Sequence, residues 1–398
     1  MAMRRWLILL ALGILVGVAC SGGGVTSTPT TGADRLTATA ARPGSSTFND
    51  LLRLVPDSPG TRSYLSINDY RLVREQFNIP VPGKDADSAQ VLEYMRALSG
   101  QGPDNTPLFR LADSMQHWTL GVESGETAEF HNYFGFDIRD VDQSVYTGRP
   151  PSTFRILRGS FDPKATAAAL KACTVCEQPV LGEYSGMSFY SWGEDFQQDY
   201  TKILAPPAYD NLGRGCRIVV SEELALRTLD TPGMKVLIDT QKGAFPSLAS
   251  VEEYALMARG MSKLGAYSVI FTDWTPGLTD TLANIKDEAI KTEVTQSPLL
   301  RPFQALATGA GKDERGLYNA VVLVHPDNKT AAENVQLLQR RVKETSSIRY
   351  RRPWQEMTGY VEVRSDGRLL EAKLYGTPFA LNVGNLFYSR DLDLFLHE

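Results

Sequence analysis

Two cysteines at CxxC spacing are the residues whose type and spacing most directly suggest chemistry. Cys173 and Cys176 enclose Thr174 and Val175, an arrangement found in thiol–disulfide oxidoreductases. Redox pairs of this kind lie at a helix N-terminus, where the helix dipole lowers the pKa of the thiol. Here the pair follows a predicted helix over 162–172 and so lies at a helix C-terminus. This placement favours a structural disulfide over redox chemistry, and a four-ligand metal site is not visible around the pair.

An aromatic segment over 184–200 holds the second set of candidate side chains. Its aromatic residues are Tyr184, Phe189, Tyr190, Trp192, Phe196 and Tyr200, and its carboxylates are Glu194, Asp195 and Asp199. Aromatic faces beside carboxylates are typical of surfaces that bind sugars or proteins, and carboxylate pairs are typical of glycoside hydrolases. The alternation over 187–192 fits a strand that buries one aromatic row, which is the interpretation we favour. The alternative is a recognition surface formed by Tyr184, Tyr190, Trp192 and Tyr200.

Sequence motifs for nucleophilic or phosphate chemistry are incomplete. The segment 182–186 lacks the spacing of a Gly-x-Ser-x-Gly elbow, so Ser185 is interpreted as a turn residue. The segment 307–313 imitates a phosphate-binding loop, but Leu306 replaces its first glycine and Asp313 replaces its Mg²⁺-binding hydroxyl. We interpret 307–313 as a flexible loop and predict no catalytic residue.

Metal sites and cofactors are not predicted either. The four histidines, His117, His131, His325 and His397, are scattered and form no helical pair. Asp137, Asp140 and Asp142 could offer oxygens to Ca²⁺, but their spacing fits no EF-hand, and the segment 137–140 is typical of a helix start.

The charge of the chain argues against nucleic acid as a partner. The formal net charge is −5, and removal of Arg4 and Arg5 with a leader makes it −7. The only dense basic cluster is Arg349, Arg351 and Arg352. A polyanion would therefore be repelled overall.

The first nineteen residues have the layout of a secretory signal. Arg4 and Arg5 precede an apolar run over 6–18, which ends near the small residues Gly17 and Ala19. The run has about thirteen residues, whereas roughly 20 helical residues are needed to span a bilayer core. We therefore expect cleavage and not a permanent membrane helix.

The residues Val16-Gly17-Val18-Ala19-Cys20 resemble the processing box of bacterial lipoprotein precursors, although Gly17 stands where leucine is usual. The resemblance implies cleavage before Cys20, lipidation of its thiol, and anchoring on the extracytoplasmic side of a bacterial membrane. Buried acyl chains contribute ~0.8 kcal/mol per methylene, enough for stable attachment. An ordinary signal peptide that leaves Cys20 as a plain thiol is the alternative.

With Cys20 lipidated, three cysteines remain: Cys173, Cys176 and Cys216. An oxidising compartment permits one disulfide and leaves one free thiol. The count alone leaves the pairing open.

The composition and local patterns predict four segments. These are a signal peptide over 1–19, a Gly-, Ser- and Thr-rich disordered tether over 20–47, and two α+β domains over 48–212 and 213–398. Predicted strands cover 154–158, 217–220, 266–271, 318–324, 360–364 and 369–374. Predicted helix starts are Asp162-Pro163 and the capping boxes at 250–253 and 330–333.

This alternation of strands, helices and hairpins predicts an α+β fold. We expect mainly antiparallel sheets with helices on one face, and two related subdomains. The units that begin at Phe154 and Tyr318 are the candidates for an internal duplication.

The ectodomain also resembles uncharacterised exported bacterial proteins of a domain-of-unknown-function family. The residues that carry this resemblance are Val55-Pro56-Asp57 and the segments 136–142, 148–151, 158–162 and 246–249. The resemblance implies an envelope lipoprotein and no reaction.

Together these features predict a lipid-anchored cell-envelope protein that binds an envelope protein or glycan without catalysis. A solute-binding lipoprotein of a transporter is the second hypothesis, although the hairpin-rich pattern fits it poorly. An extracellular glycan hydrolase using Glu194, Asp195 or Asp199 is the third.

Overall fold

Twelve strands of the chain hydrogen-bond into one antiparallel sheet. Their order across the sheet is β11-β12-β10-β9-β8-β1-β2-β3-β7-β6-β5-β4. The strands are β1 Leu65–Asp69, β2 Val141–Arg149, β3 Ser152–Gly159, β4 Val180–Tyr184, β5 Met187–Ser191, β6 Arg217–Val220, β7 Leu224–Thr228, β8 Ala266–Thr272, β9 Ala305–Asp313, β10 Gly316–Val324, β11 Tyr360–Asp366 and β12 Leu369–Tyr375. The predicted α+β class with mainly antiparallel pairing is confirmed.

The computed structural model describes residues 47–102, 108–109, 111, 127–149, 151–203, 205, 208–210, 212–376 and 392–398. The helices within these residues are α1 Thr47–Leu52, α2 Pro59–Ser63, α3 Tyr70–Phe77, α4 Ser88–Leu98, α5 Thr127–Phe134, α6 Pro163–Ala172, α7 Thr231–Gln241, α8 Glu252–Leu264, α9 Leu278–Asn284, α10 Glu288–Gln296, α11 Asn328–Glu344 and α12 Trp354–Thr358. The predicted signal peptide and nearly all of the predicted tether lie outside the described residues.

The strand order repeats in the two halves of the sheet. In the first half β1, β2 and β3 are neighbours, α6 follows β3, and β7 then pairs with β3 while β6 lies beyond it. In the second half β8, β9 and β10 are neighbours, α11 follows β10, and β12 and β11 take the same two positions. The strands that begin near Phe154 and Tyr318 are therefore equivalent in topology. The β4–β5 hairpin extends the first half alone.

The two halves meet where β1 and β8 pair antiparallel, with Leu65 opposite Phe271 and Ile67 opposite Val269. Pairing is also continuous across the predicted domain boundary after residue 212, because Tyr190 of β5 lies opposite Ile218 of β6. All described residues belong to one compact unit.

Helices cover both faces of the sheet, which corrects the expectation of helices on one face. Ala320, Val322 and Val324 of β10 pack in the cluster that holds α8, whereas Val321 and Leu323 pack in the cluster that holds α11. Successive side chains of a strand point to opposite faces, so β10 is apolar throughout because both of its faces are buried.

Helix α8 shows how closely the helices lie on the sheet. It buries Met257, Met261 and Leu264 against the strands, and each such side chain contributes about 1.5–3 kcal/mol of apolar burial. A β-carbon added at Gly260 would meet the Val322 side chain at 2.9 Å. Glycine at this position therefore lets the helix approach the sheet.

The segment 392–398 closes the second half on the α11 side. Leu392, Leu394 and Phe395 are buried with Trp354 and Leu338. His397 forms isolated bridges with Gly277 and Leu300, so the last residues connect the start of α9 to the segment that leads into β9.

Candidate functional site

The cysteines singled out in the sequence have structural surroundings. Cys173 and Cys176 form a disulfide directly after α6, and Cys173 is the C-cap of that helix. Cys216 is a free thiol with no exposed surface. Cys20 lies outside the described residues, so its lipidation stays a prediction.

The aromatic residues of 184–200 do not form one surface. Tyr184 packs against the cluster around α7 and α8, whereas Tyr190 packs against the cluster on the opposite face of the sheet. Trp192 is 1% exposed and its indole N–H donates to the Glu177 carbonyl at 2.8 Å. Only Tyr200, at 66% exposed, is a surface aromatic residue of the predicted four. Tyr184 lies opposite Met187 in the β4–β5 hairpin and shares its face of the sheet. Tyr190 lies three positions after Met187 on β5, so strand alternation places it on the other face.

The carboxylates of the same segment stabilise local structure. Asp195 accepts hydrogen bonds from the backbone N–H and the hydroxyl of Thr231 at 2.8 and 2.9 Å, and pairs with the Arg217 guanidinium at 2.7 Å. Asp199 accepts from the Thr201 N–H at 3.0 Å and caps a short 3₁₀ helix. Glu194 is exposed. These contacts hold α7 and the loop before β6, and they do not direct two carboxylates toward a common substrate position.

A cleft of about 790 Å³ beside α9 is the best candidate site among the described residues. Its walls come from the end of α2, the end of β2, the segment that runs from Trp274 through α9, the segment after α11 and the last residues. The lining residues are Ser63, Arg149, Trp274, Pro276, Gly277, Asp280, Thr281, Ala283, Asn284, Ile285, Ile348, Arg349, Leu392 and Asp393. Ligand sites commonly enclose about 300–1,000 Å³ and combine apolar walls with a few polar groups, as this cleft does.

Trp274 is the largest aromatic side chain that lines the cleft. It is 39% exposed and follows directly on β8, where the Thr272 hydroxyl accepts its backbone N–H at 2.9 Å. Pro276, Ile348 and Leu392 add buried or half-buried apolar surface. A part-exposed aromatic face beside apolar side chains is well suited to contact a flat or apolar ligand.

The wall formed by α9 is only loosely attached. No residue of α9 is buried, and its N-cap Gly277 provides no side-chain hydrogen bond. At its start the Leu278 N–H donates to the His397 carbonyl at 3.0 Å, and α9 also contacts α10. Elements with few buried apolar contacts open most easily, so α9 is the wall through which a ligand could enter.

A second, smaller cavity of about 400 Å³ lies on the opposite face of the sheet, between α1 and the end of α7. Arg53, Arg158 and Asp50 line it, with Gln241 held in place by the Leu54 carbonyl at 3.0 Å. Phe245 is the one aromatic residue among those that line it, and it is half-buried. We regard the larger α9 cleft, with its part-exposed Trp274, as the better site.

Other candidate motifs have structural explanations. The segment 307–313, interpreted as a flexible loop, is instead part of β9, where it pairs with both β8 and β10. Ser185 and Gly186 have positive φ angles in the β4–β5 turn. Asp137 caps a 3₁₀ helix and bonds Arg139, and Asp142 pairs with Arg74. Within the described ranges no cluster of three or more His, Cys, Asp or Glu could hold a metal ion.

None of the helices described above combines the length and apolar character that crossing a bilayer requires.

Sequence reasoning missed the cleft because its residues come from five separate stretches of the chain. The only local signals were Trp274 before Pro276-Gly277 and the basic cluster that contains Arg349. Neither signal indicates a site until the fold brings the two stretches together.

Comparisons with known proteins give little further information. No protein-family model matches the chain, and no curated protein matches it. Among solved structures, crystal form III of TP0453 is similar with a TM-score of 0.34 and 7% identity, covering 84% of this chain and 98% of that chain. Crystal form I of TP0453 gives a TM-score of 0.35 and 8% identity, covering 84% and 96%. At these TM-scores the likeness does not establish a common fold, and the resemblances stated from the sequence remain predictions.

Proposed function

We propose that this chain is a lipid-anchored binding protein of the bacterial cell envelope that takes a small ligand in the α9 cleft without catalysing a reaction. The observation that carries the binding function is the cleft itself, with a part-exposed tryptophan, apolar walls and two arginines. A solute-binding role, the second hypothesis from the sequence, is favoured by this cleft. An interaction with an envelope protein or glycan through Tyr200 has less support, because the other predicted aromatic residues are not on one surface.

The non-catalytic part of the proposal is supported by the contacts of the candidate acids. Asp195 is occupied by Arg217 and Thr231, and Asp199 by Thr201. General acid and base groups need a free proton-transfer path to the substrate, and these two carboxylates are already used as hydrogen-bond acceptors for α7 and a 3₁₀ helix.

Ligand binding in the cleft is expected to depend on open space beside α9. Replacing the exposed Ala283 by tryptophan places a large side chain in the cleft without disturbing a buried residue. A solute present at 100 times its Kd stabilises the wild type by about 2.7 kcal/mol, so a thermal-shift screen of small solutes and glycan fragments should raise Tm. The Ala283→Trp variant should lose this response.

The matched control is Ala289→Trp on α10, which is equally exposed and does not line the cleft. It should respond to the same solutes as the wild type. A screen without any stabilising solute, or stabilisation that survives in Ala283→Trp, would reject the cleft as the binding site.

The envelope address is the second part of the proposal and rests on Cys20 and the segment before it. We expect the mature N-terminal peptide to begin at Cys20 and to carry acyl mass, because the lipid is attached to that thiol. Mass spectrometry of the peptide in wild type and Cys20→Ser measures this directly. Protein that fractionates with membranes equally well in Cys20→Ser would contradict lipid anchoring at that residue.

A further inference from the structure

The ligand class of the α9 cleft can be inferred from the charges that face it, an inference that rests on the proposed binding function. Arg149 and Arg349 both line the cleft and both are exposed. The Arg149 Nε donates to the Ser63 hydroxyl at 2.8 Å, and the Arg349 guanidinium lies 5.7 Å from the centre of the Tyr350 ring. Neither arginine forms an ion pair with a carboxylate of the described residues.

The other two arginines of the basic cluster, unlike Arg349, form ion pairs. Arg351 pairs with Asp287 at 3.9 Å, and Arg352 pairs with Glu356 at 3.6 Å. Arg349 alone of the three faces the cleft. The chain has a net charge of −5. A cleft lined by two arginines that form no ion pair within the described residues is therefore more basic than the average surface of the chain.

Of the two carboxylates that line the cleft, Asp393 is engaged within the structure and Asp280 lies at a helix N-terminus. Asp393 is 6% exposed, and its Oδ2 accepts the Ile348 backbone N–H at 3.2 Å. It also lies close to the buried Arg341 guanidinium, which bonds its backbone carbonyl. Asp280 is the one exposed carboxylate among the lining residues, and it lies in the first turn of α9, where the helix dipole already favours it.

We propose that the cleft binds an organic anion, with an oxyanion group held by Arg149, Arg349 or both and an apolar or aromatic body packed on Trp274 and Ile348. Guanidinium groups match carboxylate and phosphate oxygens because their N–H donors form a planar fork. The apolar wall excludes water from the body of the ligand, and the arginines set its orientation. A neutral or cationic ligand of the same shape gains only the apolar part of this binding.

Three ligands that share one phenyl-bearing chain and differ in the charge of their terminal group test the inference. The probes are 3-phenylpropionate, its neutral amide and 3-phenylpropylamine, with acetate as a head group without a body. Each is titrated while tryptophan fluorescence is recorded in the wild type and in Trp274→Phe, so that the signal of Trp274 is the difference between the two. We expect the acid to bind about tenfold more tightly than the amide, since charge-assisted hydrogen bonds are about twice as strong as neutral ones. Acetate should bind more weakly than 3-phenylpropionate.

Matched variants locate the oxyanion site. The double variant Arg149→Gln/Arg349→Gln should bind the acid and the amide with equal affinity. Arg340→Gln removes an exposed arginine of α11 that pairs with Glu344 at 3.0 Å outside the cleft, and it should keep the preference for the acid. Retained preference in the double variant would overturn the inference.

The remaining outcomes separate this inference from the proposed function. Equal binding of acid, amide and amine to the wild type overturns the anion inference and leaves the cleft as a binding site. Absence of binding by the whole series, together with a cleft-dependent response to another solute in the thermal-shift screen, also overturns the inference alone. Absence of any cleft-dependent ligand overturns both.

Discussion

Replacing Arg341 by methionine is expected to lower the free energy of unfolding by about 4 kcal/mol, because buried acceptors left without a donor cost about 1–3 kcal/mol each. Arg341 is 2% exposed. Its Nε donates to the Leu394 carbonyl at 2.9 Å, and its terminal nitrogens donate to the Asp393 and Pro298 carbonyls. Methionine keeps most of the apolar volume but donates to none of these oxygens.

The charge of Arg341 is part of this effect. Burial lowers the pKa of Arg341 to about 10, so the guanidinium is still charged at neutral pH.

Since Leu392 and Asp393 line the α9 cleft, loosening the last residues by Arg341→Met should also weaken ligand binding.

Urea unfolding of Arg341→Met and of its neighbour Arg340→Met gives the comparison. Arg340 is exposed and pairs with Glu344 one turn away, so its replacement should change stability little. Equal, small effects of the two substitutions would show that the hydrogen bonds of Arg341 do not hold the C-terminal segment.

Acidification from pH 7 to pH 4 is expected to lower the free energy of unfolding by about 3 kcal/mol through His325 alone. This value follows from the difference between the pKa of His325 in the unfolded and in the folded chain. Burial lowers the pKa of His325 from 6.5 to about 4. The unfolded chain therefore takes up the proton first. The stability contribution of the neutral ring is complete above pH 6.5 and is lost progressively as the pH falls to about 4.

The hydrogen bonds of His325 explain why the ring stays neutral. Its Nδ1 lies 3.2 Å from the Arg368 carbonyl and donates to it, and its Nε2 accepts from the Asn334 side-chain amide at 2.8 Å. Asn334 cannot turn its oxygen toward the ring without losing its two bonds to the backbone of Arg301. A proton on Nε2 would therefore face an amide N–H in a buried position.

The difference between wild type and His325→Gln in unfolding free energy, measured from pH 7 to pH 4, isolates this group from the carboxylates that titrate in the same range. The difference in unfolding free energy between wild type and His325→Gln should become smaller as the pH falls. An NMR titration of the His325 ring provides an independent value, and a midpoint near 6.5 in the folded protein would contradict the account.

The sequence predicted the strands better than the starts of the helices. Strand β6 was expected over 217–220 and is found there, because a short apolar run between turns has few other structures open to it. The capping boxes were less reliable. Helix α11 begins at Asn328 with Asp327 as its cap, and α8 has Val251 as N-cap without a side-chain bond. Asp327 determines the start of α11, and the 3₁₀ turn over 248–250 determines the start of α8.

The misassigned segment 307–313 shows what local patterns leave out. Its glycines and small residues are typical of a loop, yet they lie in a central strand. A β-carbon at Gly309 would approach the Ser268 carbonyl oxygen at 2.6 Å, and one at Gly311 would meet the Tyr318 ring at 2.3 Å. Glycine is required here by close neighbours on the adjacent strands β8 and β10, which a local pattern does not reveal.

The candidate site depended even more on distant contacts. Arg149, Trp274 and Arg349 are separated by 75 residues or more in the chain. Arg149 and Trp274 line one cleft because β1 pairs with both β2 and β8, and the segment after α11 adds Arg349. The aromatic segment, which is continuous in sequence, is divided by the sheet into two faces. The alternative of one aromatic recognition surface rested on continuity in the sequence, whereas the residues of the cleft are discontinuous in the sequence.

Amide hydrogen exchange of the purified protein, with and without a solute that raises its Tm, is the most direct measurement of binding in the cleft. Helix α9 is loosely attached, so its amides should exchange early in the free protein and become protected when the solute is bound. Protection should extend to the segment around Trp274. Protection that appears only in the β4–β5 region, with α9 unchanged, would contradict the proposed site.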